Sequence, residues 1–300
     1  MKVLVVGVDL DTFVREQYEA LKKAGITVFT HKVTGHGLLG YFTEIFRLRR
    51  TIKQCRPDII HAHYGLCGLF TNFQRTIPVV TTFHGSDIHT GGWLLKLSKL
   101  AMRLSAYNIF VSKTLYEQSG YKNNNASIIS CGVDLETLQP IDRAEAKEII
   151  GRRNTFVLFA GSFTNQVKNP ELAKKSMSTI SQAELVELRG YSREEVNLLM
   201  NAADCLLVTS HREGGPLVVK EAMACGTPLV SVDVGDVREV IGETSGCYIA
   251  ERDANDIAKQ IEKALAFQGK TKGRQRIIDL GLNNDCIAER IIEIYQNCLL

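Results

Sequence analysis

Three observations predict an α/β protein made of two doubly wound domains with parallel sheets. Short apolar runs recur at residues 2–7, 26–30, 58–63, 78–83 and 107–112, then again at 155–160, 184–188, 204–209, 228–232 and 247–249. Amphipathic stretches of helical period separate them, at 13–24, 38–54, 93–105, 192–203 and 236–241. The length of 300 residues exceeds what one hydrophobic core usually fills.

The opening run, residues 2–7, is too short and too soon interrupted for a signal peptide, so it reads as a first buried strand. The alternation of strand and helix continues to about residue 112. A break falls between Gly132-Val133-Asp134 and Pro140, and the rhythm restarts after a helical stretch at 143–150. The expected domains are therefore residues 1–140 and 141–283, with a last helix at about 284–297. Ligands of such sheets bind beyond the C-terminal ends of the strands.

Hydrophobic residues make up 45% and charged residues 23% of the chain, as in an ordinary soluble protein, and no apolar run approaches a membrane span. The eight cysteines are scattered without a C-x-x-C pair, which predicts reduced core thiols in a cytoplasmic protein. The sequon Asn125-Ala126-Ser127 is then without consequence. Residues 1–140 hold 16 Lys and Arg against 10 Asp and Glu, and the remainder 20 against 23. Six of the seven histidines also lie in the first half. A nucleic-acid protein would be more basic, with interleaved aromatics. This asymmetry suits an anionic surface or a phosphorylated acceptor instead.

The segment richest in chemistry is Glu213-Gly214-Gly215-Pro216-Leu217-Val218-Val219-Lys220-Glu221, between a strand at 204–209 and a helix from Leu217 to Cys225. Pro216 suits the first helical turn and Gly226 the C-terminal stop. Free backbone N–H groups between Gly214 and Val218 would face a phosphate. Glu213 lies beside them in the loop, and Glu221 about two turns along the helix. A phosphate flanked by two sets of hydroxyls describes a sugar nucleotide. The plain alternative is a helix with an ordinary N-terminal acid and a solvated glutamate.

This spacing resembles the Glu-x7-Glu signature of family 4 (GT4) of the retaining glycosyltransferases, which have the GT-B fold of two Rossmann-like domains facing across a cleft. By that resemblance Glu213 holds hydroxyls of the donor sugar and Glu221 holds the ribose. Residues 57–65, His84-Gly85-Ser86-Asp87 and Ile129-Ser130-Cys131-Gly132-Val133-Asp134 look like the acceptor-side half of the family. Carried over, His84 lies near the donor phosphate and the reacting carbon, with His63 and Asp87 on the acceptor side. Of His61 and His63, one is expected to face the core, and His63 to stand nearer the cleft. The last helix would pack back on the first domain, as in the family.

Gly161, Ser162 and Lys168 follow the first strand of the second domain, where the family has a glycine, often an arginine, and a lysine. The resemblance makes Lys168 the donor-diphosphate ligand and a catalytic group with His84 and Glu213. Ser162 stands where arginine is common. The stretch from Lys168 to Gly190 has about half the usual length, so a strand and helix there would be missing or shortened. Tyr191 stacks on or borders the base, or else lies in a surface turn.

Asp9-Leu10-Asp11 is a D-x-D sequence, but it follows the first strand of the wrong domain and no phosphate-binding element precedes it. No metal and no cofactor are expected. The basic amphipathic stretches from Leu38 to Lys53 and from Trp93 to Arg103 are either ordinary domain helices or a docking surface for anionic lipid. The resemblance implies a cytoplasmic enzyme, peripheral at the inner face of the plasma membrane. It would move a hexosyl unit from a UDP- or GDP-sugar to a sugar hydroxyl of a surface polysaccharide or lipid-linked glycan. A sugar-nucleotide epimerase of the same fold and a non-catalytic nucleotide-sugar-binding subunit are the alternatives. The absence of G-x-G-x-x-G after either opening strand argues against a dehydrogenase.

Overall fold

A computed structural model describes the chain except Asp9, Asp11, Thr12 and His36, and the backbone alone of residues 37–39, 41 and 42. Both aspartates of the Asp9-Leu10-Asp11 sequence and the Phe42 side chain thus lie outside the described residues. The chain forms two compact units, Met1–Gly132 with Asn284–Leu300, and Val133–Asn283. The change of unit at Gly132 comes before the boundary expected at residue 140, because Val133 already pairs with Asn283 of the second unit.

Unit 1 runs β1 (Lys2–Gly7), α1 (Phe13–Lys23), β2 (Thr27–Lys32), α2 (Gly37–Cys55), β3 (Ile59–His63), α3 (Gly65–Asn72) and β4 (Val79–Phe83). It continues through α4 (Ser86–His89), α5 (Gly92–Leu104), β5 (Tyr107–Phe110), α6 (Lys113–Ser119) and β6 (Ala126–Ile128). All six strands are parallel, in the order β2-β1-β3-β4-β5-β6. Their inward runs are continuous rather than alternating, because helices bury both faces of a parallel sheet. Every residue of β3 and β4 is buried.

Unit 2 runs α7 (Arg143–Ile149), β7 (Phe156–Phe159), a single 3₁₀ turn (Gln166–Lys168), α8 (Pro170–Met177), β8 (Glu184–Glu187), α9 (Arg193–Ala202) and β9 (Cys205–Val208). There follow α10 (Leu217–Cys225), β10 (Leu229–Val232), α11 (Val237–Ile241), β11 (Cys247–Ala250), α12 (Ala254–Ala266) and α13 (Gly273–Asp279). Its five parallel strands are ordered β11-β10-β9-β7-β8. The segment after Lys168 keeps both its helix and its strand, as α8 and β8, although both are short.

The last helix, α14 (Asn284–Leu299), belongs to unit 1 and packs on α1. It is tied to the sheet by its buried Tyr295, whose hydroxyl lies 2.6 Å from His61 Nδ1. All eight cysteines are free thiols, five of them buried. Burial pushes the Cys205 thiol above its ordinary range and those of Cys225 and Cys247 up to about 12.

Each sheet reverses strand order once, between β1 and β3 in unit 1 and between β7 and β9 in unit 2. The crevice at such a reversal is where an open parallel sheet receives ligand. Helix α3 brings the end of β3 to that edge by lying close on β4 and α5. A Cβ on Gly68 would come 2.5 Å from Thr81 Cγ2, and one on Gly65 would collide with the Ser98 side chain. Gly68→Ala should therefore cost roughly 1–3 kcal/mol by overpacking. Urea denaturation checks this; an unchanged midpoint would show that α3 can lift without loss.

Candidate functional site

In unit 2 the residues singled out from the sequence gather at the strand reversal. Gly161 follows β7 with φ +153°, and a Cβ there would meet Lys168 Cγ at 2.8 Å. The lysine stem thus crosses the strand end because only glycine leaves room for it. The loop after β9 is laced to the turn that carries Lys168. Thr209 Oγ1 donates to the carbonyls of Lys168 (2.9 Å) and Asn169 (3.0 Å), and His211 N donates to Val167 O (2.9 Å). Arg252 forks onto the next two carbonyls, Ser210 O (2.7 Å) and His211 O (3.0 Å). This lacing brings Lys168 Nζ to Glu213 Oε1 at 2.6 Å, both side chains partly buried.

Helix α10 starts beside this ion pair. Pro216 is its N-cap, with φ −68° and ψ 106°, and not a residue of its first turn as the sequence suggested. Its carbonyl accepts from Val219 N at 3.2 Å, a role that leaves proline's fixed φ outside the helix. Gly226 closes the helix in the left-handed conformation, φ +70°. Gly235 holds the approach of the neighbouring loop: a Cβ there would come 3.0 Å from Gly214 O and from Pro216 Cδ. Under the helix, the fully buried Lys220 donates to Asp236 Oδ2 at 2.8 Å. Leu217, Val218 and Gly215 are half-buried at the helix start.

Glu221 is not a solvated glutamate. It is 5% exposed and accepts from Arg193 Nη1 at 2.6 Å. Ser162 Oγ lies 2.9 Å from Thr164 Oγ1, within its own turn, and Tyr191 stands 41% exposed on the surface. Arg193 is a site neighbour that the sequence reading missed. The Ser192-x-x-Glu195 capping box that places it was legible, but its contact with α10 was not.

In unit 1, His61 and His63 share one side of β3, and neither is turned to the opposite face from the other. The pleat puts residues two apart on one face, and their rings stack at 4.5 Å. Both are buried. His61 bridges Tyr295 OH and Thr82 Oγ1 (2.7 Å from Nε2). His63 Nδ1 meets His84 Nε2 at 2.9 Å, so His63 is the one that touches His84. The His84 ring is also flanked by Phe13 and Tyr64, at centroid distances of 4.9 and 4.8 Å, and Cys131 Sγ lies 4.0 Å from its Nδ1. Desolvation pushes His61 and His84 down to about 3 and His63 well below its ordinary value. The three imidazoles are therefore neutral near pH 7. They can pass hydrogen bonds but cannot balance the charge of a phosphate.

Asp87 ties the loops after β3 and β4 together. Its Oδ1 accepts from Gly85 N (2.8 Å) and its Oδ2 from Gly65 N (3.1 Å) and His84 N (3.4 Å). Burial pushes its carboxyl upward against the pull of these hydrogen bonds. No cluster of three His, Cys, Asp or Glu side chains suited to a metal occurs among the described residues.

Residues 6–137 match the model of Glycosyltransferase Family 4, and residues 152–281 that of Glycosyl transferases group 1. The chain has the GT-B fold, and each of its halves matches a glycosyltransferase model. Among curated relatives, TuaC of Bacillus subtilis (strain 168), a glycosyltransferase named for teichuronic acid biosynthesis, is 26% identical over 71% of this chain. A D-inositol 3-phosphate glycosyltransferase of Mycobacterium sp. (strain KMS) is 24% identical over 80%. The chain spans 63% and 66% of the lengths of these two relatives. Among solved structures, sucrose-phosphate synthase from Thermosynechococcus elongatus superposes with a TM-score of 0.88 at 18% identity, covering 99% of this chain and 98% of that one. The Anabaena protein HepE, solved with UDP and glucose, gives 0.74 at 17% identity, covering 99% and 100%. At these identities the likeness shows the GT-B fold.

The buried histidines make the stability of the chain depend on pH. His31, His61, His63 and His84 all have folded values below 6.5. Unfolding at lower pH then takes up protons, so their contribution is complete above about pH 6.5 and is lost as pH falls toward 3. Burial pushes Glu44 up, but the hydrogen bonds it accepts from Thr34 and the nearby Arg47 hold it below its ordinary value, so it acts in the same direction at lower pH, and Asp87 opposes it at the acid end. Urea unfolding should show stability falling from pH 7 to pH 4.5, with a shallower slope for His61→Gln. A flat profile over that range would show that the histidines titrate normally.

Proposed function

We propose that this chain transfers a hexosyl unit from a UDP- or GDP-sugar to a sugar hydroxyl, with retention at the anomeric carbon and without a metal. The observation that carries the reading is the Lys168–Glu213 pair at the start of α10, one cation and one carboxylate at the strand reversal of unit 2. A nucleoside diphosphate sugar offers an acidic diphosphate for Lys168 and the helix amides, and sugar hydroxyls for Glu213. Glu221, further along the helix, takes the ribose, and Tyr191 borders the base.

On this reading the bond from the anomeric carbon to the diphosphate oxygen breaks and its electron pair leaves with the diphosphate. The acceptor hydroxyl attacks the same face, and its proton passes to the departing phosphate. Fixed positive groups at the site of developing charge often supply the largest catalytic term. Here they are Lys168 and the N–H groups at the start of α10, because Ser162 brings no charge and His84 is neutral. Within unit 1, His84 takes the role of a neutral hydrogen-bonding group toward the substrates, with His63 and Asp87 setting its place on the acceptor side. The relatives named for teichuronic acid biosynthesis and for D-inositol 3-phosphate support an acceptor bearing sugar or polyol hydroxyls. A surface polysaccharide or lipid-linked glycan fits that class.

Incubation with a panel of UDP- and GDP-hexoses, with and without glycan acceptors, is the test. Acceptor-dependent release of nucleoside diphosphate is expected, unchanged by EDTA, and Lys168→Met should lower turnover by about 10²–10³-fold. Interconversion of the sugar nucleotide without acceptor would mark an epimerase. Binding without turnover would mark a nucleotide-binding subunit, and a loss with EDTA restored by Mn²⁺ would refute the metal-free route. Glu221→Ala should weaken UDP or GDP binding by about 1.5–3 kcal/mol by calorimetry; equal affinity would remove Glu221 from the site.

The basic helices of unit 1 support docking on anionic lipid. Phe46 is 71% and Trp93 59% exposed, beside exposed Arg49, Arg50 and Lys53 on α2 and Lys96, Lys99 and Arg103 on α5. Arg47 is engaged with Glu44 and Thr34 and contributes less. Among the described residues no helix is long and apolar enough to cross a membrane. Flotation with anionic vesicles should recover the protein, less so at high salt, and Arg49→Ser/Arg50→Ser should release it. Equal recovery on neutral vesicles would leave α2 and α5 as plain domain helices.

A further inference from the structure

Arg193 is the first residue of α9, and local sequence sets where it stands. Ser192 Oγ accepts from Glu195 N at 3.2 Å, and Glu195 Oε2 accepts from Ser192 N at 2.7 Å. This reciprocal cap fixes the path by which the chain enters the helix. From there Arg193 Nη1 reaches Glu221 Oε1 at 2.6 Å, while the Glu221 side chain is 7% exposed. A carboxylate so far removed from water is costly unless paired, and Arg193 supplies the partner. The helices are held together nearby, where Cys225 Sγ lies 3.4 Å from Asn197 Oδ1.

The geometry of the pair matters as much as its charge. Arginine often grips a carboxylate through both oxygens, but here the contact falls on Oε1 alone. Glu221 Oε2 receives no hydrogen bond from the described residues. One oxygen is thus anchored and the other is left for a ligand donor. A hydroxyl is the natural donor for it, because a hydroxyl can approach a nearly closed carboxylate without bringing a second charge. The same argument explains why the carboxylate is kept so near the interior: a water-filled surround would compete for the free oxygen.

We infer that Arg193 is a positioning residue for nucleotide recognition. It anchors Glu221 through Oε1 and aims Oε2 at the ribose hydroxyls, and so sets a preference for ribonucleotides over 2′-deoxyribonucleotides. The inference rests on the ribose role of Glu221 proposed above.

Calorimetric titration of the full chain with UDP, GDP, 2′-deoxy-UDP and 2′-deoxy-GDP tests it. The wild type should prefer the ribonucleotide of whichever base it binds by about tenfold or more, the scale of one hydrogen bond to a charged group. Arg193→Met should bring that ratio near one while leaving the deoxynucleotide within about threefold of wild type. Arg193→Lys should restore part of the preference. If Arg193→Met does not fold, Arg193→Gln keeps a donor to Oε1 without the charge and should give an intermediate ratio. A wild-type ratio in the folded variant, or equal weakening of both nucleotides, overturns the inference. Glu221→Ala separates the two levels. If it abolishes the preference and Arg193→Met does not, Arg193 alone is dismissed. If neither changes it, the ribose role of Glu221 falls as well.

Discussion

A parallel strand cannot hand its chain to its neighbour without crossing the sheet, so in both units every strand ends at the same edge. That constraint concentrates loop backbone, glycines and polar side chains at one end of each sheet. Where strand order reverses, the crossovers leave in opposite directions and open a crevice. In unit 2 the loops after β7 and β9 meet there, and in unit 1 the loops after β3 and β4 stand beside the reversal. The candidate residues are gathered by this topology before any individual contact is considered.

Within unit 2, small groups decide what the topology makes available. Gly161 leaves space for the Lys168 stem, and the Thr209 hydroxyl shares its proton between two carbonyls at the turn that carries it. Arg252 holds the carbonyls that precede Glu213. The Lys168–Glu213 pair is the product of this lacing. It holds a cation and an anion side by side, each neutralised by the other. Below, the buried Lys220–Asp236 pair satisfies two charges that cannot reach water.

Unit 1 works with neutral groups. The imidazoles of His61, His63 and His84 are desolvated and connected through Tyr295, Thr82 and one another. Phe13 and Tyr64 cover the outermost ring. Such a group can fix a tautomer and present a directed hydrogen bond, but it cannot serve as a counter-ion. The histidine cluster is therefore suited to orienting a hydrogen bond and not to balancing charge.

Strand runs, helical period and turn residues determined by themselves the two-sheet α/β class, the place of most strands and helices, and the break near Gly132. They are local signals, set by backbone sterics and the burial of alternate or continuous apolar faces. The loop at 213–216 and the helix after it were legible for the same reason. Tertiary structure decided what no local signal carries. It placed Pro216 at the cap, joined His63 to His84, and kept α8 in the shortened segment. It paired Lys168 with Glu213, Arg193 with Glu221 and His61 with Tyr295, 234 positions away. Those contacts depend on how crossovers return to the sheet and on which space a glycine leaves empty. Spacing along a chain does not encode such distances, because the sheet alone brings the ends of separate strands together.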